Sequence, residues 1–304
     1  MQLTKEHFQP ISMDLRQAEE IKRPSLSFWR DAWRRLRSNK IAMISLVFLV
    51  IILIGAIFVP MFSGHNYYST DLVGKNKPPS GEHWFGTDDL GRDVFVRVWY
   101  GARISLTVGI AAALIDLVIG VIWGGIAGYF GGRVDEVMMR IADIIFAVPY
   151  LLVVILLMVV FQPGVVTIIL AMGLTGWINM ARIVRGQVLQ LKSQEYVLAA
   201  LSLGADSKRI IFKHLIPNVL GPILVTLSLS VPTAIFSESF LSFLGLGVSA
   251  PVASWGTMAS DGLPAMRYYP WRLMFPAVFI SLTMLAFNLL GDGIRDAVDP
   301  RLRK

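Results

Sequence analysis

The chain has 304 residues, of which 55% are apolar and only 16% charged, with mean hydropathy +0.61 and a formal charge of +7. Soluble domains carry about 25% charged residues, so too little polar surface is present to cover a soluble body. The same shortage argues against the nucleic-acid binding that a pI of about 9.7 first suggests. Cysteine is absent, which excludes disulfide scaffolds, thiolate metal sites and cysteine nucleophiles together.

A membrane span needs roughly 20 apolar residues, and six stretches approach or exceed that length. Ahead of them, residues 1–27 are mixed in character and read as loosely ordered. Ser27–Asn39 places Phe28, Trp29, Trp33 and Leu36 near one face and arginines on the other. Two readings fit it: an amphipathic helix lying in the inner interface, or an ordinary basic flank to an anchor. Ile41–Phe62 holds no charge, begins too late and runs too long for a cleaved signal peptide, and so predicts an uncleaved first span.

Residues 63–103 form the only sizeable outer loop, too short for an independent enzymatic domain. Its FGTDDLGRD run offers Asp88, Asp89 and Asp93, but the spacing and the missing bidentate Glu do not fit an EF-hand. Thr87 or Asp88 is expected instead to cap a helix leading to the second span. The further spans are expected at Ile104–Tyr129, Ile141–Phe161, Val165–Ala181, Val219–Phe243 and Leu273–Leu290. Gln162, Pro163 and Gly164 join the third to the fourth as a hairpin turn at one membrane face.

Lys and Arg set the orientation. With the N-terminus inside, segments 1–40, 130–140, 182–218 and 291–304 hold 21 of them, against 7 in segments 63–103 and 244–272. Both termini are therefore expected in the cytoplasm. The organisation predicted is a cytoplasmic tail over 1–40, a first helix over 41–62, an outer loop over 63–103, a five-helix core over 104–291 and a cytoplasmic tail over 292–304.

No phosphate loop of the G-x-x-x-x-G-K-[ST] type, no G-x-S-x-G elbow and no H-E-x-x-H occur. His7, His65, His83 and His214 fall on both sides of the membrane and are not expected to form one metal cluster. A conduit or transport scaffold fits better than an enzyme.

The largest cytoplasmic loop lies within 186–218. Glu195 to Leu203 are good helix formers, Ala199 and Ala200 leave a flat patch, and Gly204 permits a sharp turn. Ala205 to Ile216 form a second helix with Ile211 and Leu215 on its apolar side, limited by Pro217. The pair suits docking into a partner's groove, or equally a connector lying on the membrane.

Three acidic residues lie within or beside the spans. Asp116 sits 12 residues into the second, roughly 18 Å along it. Gly120, Gly124 and Gly128 follow at four-residue steps as a ridge for close helix packing, so Asp116 is expected to face a neighbouring helix, as a structural hydrogen-bonding group or as part of a pathway. In the fifth span Thr226, Ser230, Thr233 and Ser237 form a hydroxyl stripe, either lining a path or packing between helices. Glu238 lies on another face, as an interfacial carboxylate or part of an outer gate. Asp143 is expected to pair locally with Arg140.

The segment Gln194–Asn218 resembles the EAA loop of ABC-importer permeases, whose pattern is E-A-A, three residues, Gly, nine residues, I-x-L-P. Leu198-Ala199-Ala200, Gly204 and Pro217 keep that spacing, with Leu198 in place of the Glu, His214 of the Ile and Ile216 of the Leu. Five further ordered runs resemble the C-type subunit of the oligopeptide, dipeptide and nickel permeases, most of all the oligopeptide group. They are HWFGTDDLGRD (His83–Asp93), YGARISLTVG (Tyr100–Gly109), GYFGGRVDEVMMRIAD (Gly128–Asp143), SFLGLG…SWG (Ser242–Gly256) and GDGIRDAVDPRLRK (Gly291–Lys304).

The resemblance implies an all-α membrane protein with six transmembrane helices and the type I ABC-importer permease fold. It implies a partner B-type permease subunit, two ATPase subunits and an extracytoplasmic peptide-binding lipoprotein. This chain would bind no cofactor, ATP and Mg belonging to the ATPases. Glu195, Tyr196, Ala199, Ala200, Gly204, Ala205 and Asp206 would then couple to an ATPase. Thr226, Ser230, Thr233, Ser237, Glu238 and Asp116 are the candidates for the path or gate. Dipeptide or nickel cargo is the alternative within the class, and a non-transporting scaffold or enzyme the alternative outside it.

Overall fold

The computed structural model describes residues 28–298; the expectations for residues 1–27 and for the tail beyond 298 lie outside that range. Every regular element among the described residues is helical. α1 (Phe28–Ser38) leads through Asn39, which caps α2 (Lys40–Phe62) by accepting from the Ala42 N–H. α1 exposes Trp29 and Trp33 one turn apart, while Leu36 packs toward Gly293 near the other end of the chain.

α3 (Val94–Phe130) has 37 residues and starts ten positions before the expected span. Its N-cap is Asp93, whose carboxylate accepts from the Val96 N–H at 2.8 Å, not Thr87 or Asp88. Those two are engaged elsewhere: the Thr87 hydroxyl donates to the Gly74 carbonyl, and Asp88 pairs with Arg92 at 2.7 Å. Arg97 lies 3.4 Å from Asp88, and Arg272 reaches Asp89 at 3.1 Å. The loop between α2 and α3 is thus an ion-paired scaffold on one end of the bundle.

α4 (Gly132–Ala147) and α5 (Tyr150–Phe161) meet at 80°, so the expected straight third span is broken. Pro149 is the cause: it disfavours helical geometry at the preceding residue, and Val148 is extended. α6 (Val165–Thr175) and α7 (Trp177–Leu191) run on as one candidate span through Gly176, longer than the short fourth span expected. α8 (Glu195–Ser202) is a separate helix within the loop expected over 186–218.

The second helix of that loop does not stop at Pro217. α9 (Ser207–Phe243) is continuous, with a π-helical stretch at Ile210–Leu215. The Ile216 N–H bonds the Ile211 carbonyl, five residues back. This wider turn relieves the carbonyl clash that Pro217 would impose on α-geometry. α10 (Trp255–Gly262) and α11 (Trp271–Val298) complete the chain. By length and composition five helices can cross a membrane, and the bent α4–α5 pair makes six when taken as one span.

The glycine ridge works as its spacing predicts. A Cβ on Gly120 would meet Met180, on Gly124 the Ala181 backbone, and on Gly128 Val188 and the Arg185 carbonyl. α3 and α7 therefore pack backbone to backbone, burying Met180, Val184 and Val188. Trp255 anchors α10, fully buried, its indole N–H donating to the Val98 carbonyl at 2.9 Å.

Candidate functional site

The stripe that carries Gly120 and Gly124 continues one turn back to Asp116, which meets the junction of α6 and α7. Its carboxylate packs against Gly176, where any Cβ would overlap it. The facing wall comes from α9. Thr226, Ser230, Thr233 and Ser237 all line the same cavity of about 370 Å³ as Asp116, with Asn179 and Tyr150 also on its surface. The structure thus brings together every candidate path residue except Glu238.

The cavity's polar chemistry is asymmetric. Thr226, Ser230 and Thr233 donate to the carbonyls of Pro222, Thr226 and Leu229, four residues back, at 2.9, 3.0 and 2.9 Å. Each hydroxyl oxygen keeps lone pairs free to accept. Asp116 Oδ1 and the Tyr150 hydroxyl are buried without a protein hydrogen-bond partner. Buried polar atoms are normally paired, so this wall holds unused hydrogen-bonding capacity, mostly for accepting.

Glu238 is elsewhere. It is fully buried and accepts from Ser105 at 2.9 Å and Ser242 at 2.8 Å. Ser105 also accepts from the Trp255 N–H at 3.3 Å. The carboxylate ties α3, α9 and α10 together, and is not on the cavity wall.

At the other end of α9, α8 projects from the bundle. Of its eight residues only Val197 is buried, at 0% exposure, as a member of the apolar cluster that also holds Val188, Ile210, Leu215 and Val219. Tyr196, Leu198 and Leu201 are exposed, as are Glu195 and Ala199. Gly204 sits at φ +81°, and the Ala205 N–H returns to the Ala200 carbonyl, closing the helix in a left-handed turn. Asp206 then caps α9 by accepting from the Arg209 N–H. An exposed apolar helix on a single buried peg, closed at its C-terminal end by the Gly204 turn, is a protruding knob.

Three features escaped the sequence reading. Asp143 pairs with Arg182 on α7 at 2.8 Å, not with Arg140. Asp135 holds Arg185 by two hydrogen bonds, one of 2.6 Å, clamping α4 to α7. His65 and His83 meet beside Asp93 in the segment between α2 and α3, although four dispersed histidines gave no sign of it. The first two pairs join positions 39 and 50 residues apart, beyond the reach of any local pattern.

Residues 120–304 match the family model described as "Binding-protein-dependent transport system inner membrane component", and residues 27–79 that of the "N-terminal TM domain of oligopeptide transport permease C". The chain is 65% identical to the Bacillus subtilis oligopeptide transport system permease protein OppC, over 99% of both chains. It is 61% identical to the dipeptide permease DppC of the same organism, over 95% of this chain and 91% of that one. The Escherichia coli K12 OppC is 45% identical over 94% of this chain and 95% of the other. A structure of the inward-facing MetNI methionine ABC transporter superposes with TM-score 0.56 at 16% identity, covering 68% of this chain and 96% of that one, and shares the fold. These relatives are transport permeases and not enzymes. The chain belongs to the binding-protein-dependent transport system inner membrane components, the membrane-spanning permease subunits of ABC importers.

Proposed function

We propose that this chain is the C-type membrane subunit of an oligopeptide importer and that the cavity between α3, α6–α7 and α9 forms one wall of the peptide path. The observation that carries the reading is the convergence of Asp116 with the four α9 hydroxyls on one cavity inside a bundle of membrane-length helices. Peptide backbones carry an N–H at nearly every residue. A wall of acceptors binds those groups whatever the side chains, which suits passage of varied sequences. Oligopeptides are favoured over dipeptides because the higher identity and the N-terminal match are both to oligopeptide permeases.

α8 docks in a groove of a cytoplasmic ATPase through Tyr196, Leu198, Ala199 and Leu201. ATP and Mg²⁺ are bound by the two ATPases, and a B-type permease supplies the opposite wall. An extracytoplasmic binding protein delivers peptide to the scaffold between α2 and α3. Both termini lie in the cytoplasm, a reading the Lys and Arg distribution supports. Motion of the ATPases rocks the spans between inward- and outward-facing states.

The test is reconstitution of this chain with its partner permease, ATPases and binding protein in proteoliposomes. ATP-dependent accumulation of a labelled pentapeptide is expected, and is lost when this chain is omitted. Accumulation that does not need this chain, or ATP-driven uptake of dipeptides alone, overturns the assignment.

A further inference from the structure

Two histidines and a carboxylate converge on the outer face, away from the cavity and from α8. His83 Nδ1 lies 2.8 Å from Asp93 Oδ2. The His65 ring sits over His83 with centroids 5.2 Å apart. One ligand atom from each of the three lies within 4.8 Å of the others. Asp93 is buried, His83 half-buried and His65 exposed, so the cluster is anchored on one side and open on the other.

The supporting contacts hold the three in place. The second oxygen of Asp93 accepts the Val96 N–H at 2.8 Å, orienting the carboxylate as the cap of α3. The His83 N–H donates to Ser80 Oγ at 3.1 Å, and its carbonyl accepts from the Ser80 and Gly86 N–H groups. The His65 carbonyl accepts from Ser63 Oγ at 2.9 Å. These bonds orient the Asp93 carboxylate and fix the backbone at both histidines, leaving the exposed His65 ring able to turn.

We propose that His65, His83 and Asp93 form a three-ligand site for a divalent transition metal of the zinc type, with water in the fourth position. The donor set decides the class. Two imidazoles and one carboxylate suit Zn²⁺ and its neighbours, whereas Mg²⁺ and Ca²⁺ take oxygen ligands. Zinc bonds of roughly 2.0–2.2 Å require ligand atoms nearer together than the widest separation here. The exposed ring of His65 closes that gap by rotation, and His83 Nδ1 and Asp93 Oδ2, at 2.8 Å in the metal-free protein, separate to the roughly 3.3 Å of two tetrahedral ligands.

On binding, Nδ1 of His83 coordinates the metal and the hydrogen of that nitrogen moves to Nε2, so the ring enters as a neutral imidazole and its contact with Asp93 is replaced by the shared ion. Once filled, the site ties the outer end of α2, three residues before His65, to the first turn of α3.

The experiment is isothermal titration of the purified importer in nanodiscs with ZnCl₂, after chelator treatment and without nucleotide. Expected is a Zn²⁺ site that is weakened at least ~10-fold in both His65→Ala and His83→Ala. Mg²⁺ should not compete. His65→Ala decides the matter if His83→Ala fails to fold, because an exposed ring contributes little to the metal-free protein. Its melting temperature without metal should equal that of the wild type, and the rise produced by Zn²⁺ should disappear. Equal Zn²⁺ affinity in wild type and His65→Ala, or no Zn²⁺ binding at micromolar concentrations, overturns the proposal.

Discussion

Val197 is the single peg that seats α8 on the bundle, and its truncation tests whether the knob's rigidity matters for coupling. Val197→Ala deletes two methyl groups from a site with 0% exposure. At about 0.8 kcal/mol per carbon the transfer loss is roughly 1.6 kcal/mol, and the residual cavity left in this apolar cluster brings the total to about 2 kcal/mol. No other residue of α8 is buried, so the loss falls on the local opening of this helix and not on the bundle. A tenfold change corresponds to about 1.4 kcal/mol, so the open population rises roughly 30-fold. Hydrogen exchange of the assembled importer reads this directly. Amides of 197–205 should exchange roughly 30-fold faster while those of 105–125 in α3 are unchanged, and ATP hydrolysed per peptide transported should rise. Unchanged exchange at 197–205 would show that α8 is held by something other than this contact, and normal coupling despite faster exchange would refute the link from rigidity to function.

Replacing Ser230 and Thr233 by Leu fills part of the cavity and removes two acceptors, so uptake should fall at least ~10-fold while the complex still copurifies; unaltered uptake reduces the stripe to packing. Glu238→Leu leaves the Ser105 and Ser242 hydroxyls without their acceptor, at about 1–3 kcal/mol each, and a lowered melting temperature is expected. Glu238→Gln should be milder because it retains an acceptor, and equal losses in the two variants would argue against the serine pocket as the cause. The chain has no native cysteine, so Ala199→Cys should crosslink to an engineered cysteine in an ATPase groove with a yield that changes on adding ATP; the absence of any crosslink would detach α8 from the ATPase.

Most of the fold could be read from periodicity. Five of the six apolar runs match the cores of candidate spans, since bilayer thickness leaves a composition signal that needs no tertiary information. The hydroxyl stripe and the Gly120–Gly128 ridge were legible for the same reason: residues at three- and four-residue steps must share a helix face. Pro149 also carried a visible signal, but an uninterrupted apolar run hid the 80° break it causes. Pro217 misled in the opposite sense, because a π-turn accommodates a proline that α-geometry rejects. The pairs Asp135–Arg185 and Asp143–Arg182 and the meeting of His65 with His83 depend on how distant segments cross. Local spacing holds no record of those crossings. Glu238 shows the limit most clearly, since its helical face was read correctly while the serines that satisfy it come partly from α3, more than a hundred residues away.

The central claim is that the cavity beside Asp116 is a path opened to one side of the membrane at a time. Ser230→Cys, the sole cysteine in an importer with cysteine-free partners, measures this with a membrane-impermeant thiol reagent applied from either face. Reaction from the cytoplasmic face without nucleotide, switching to the outer face when ATP and the loaded binding protein are present, is the predicted result. A cysteine at 230 that stays unreactive from both faces in both states would contradict it.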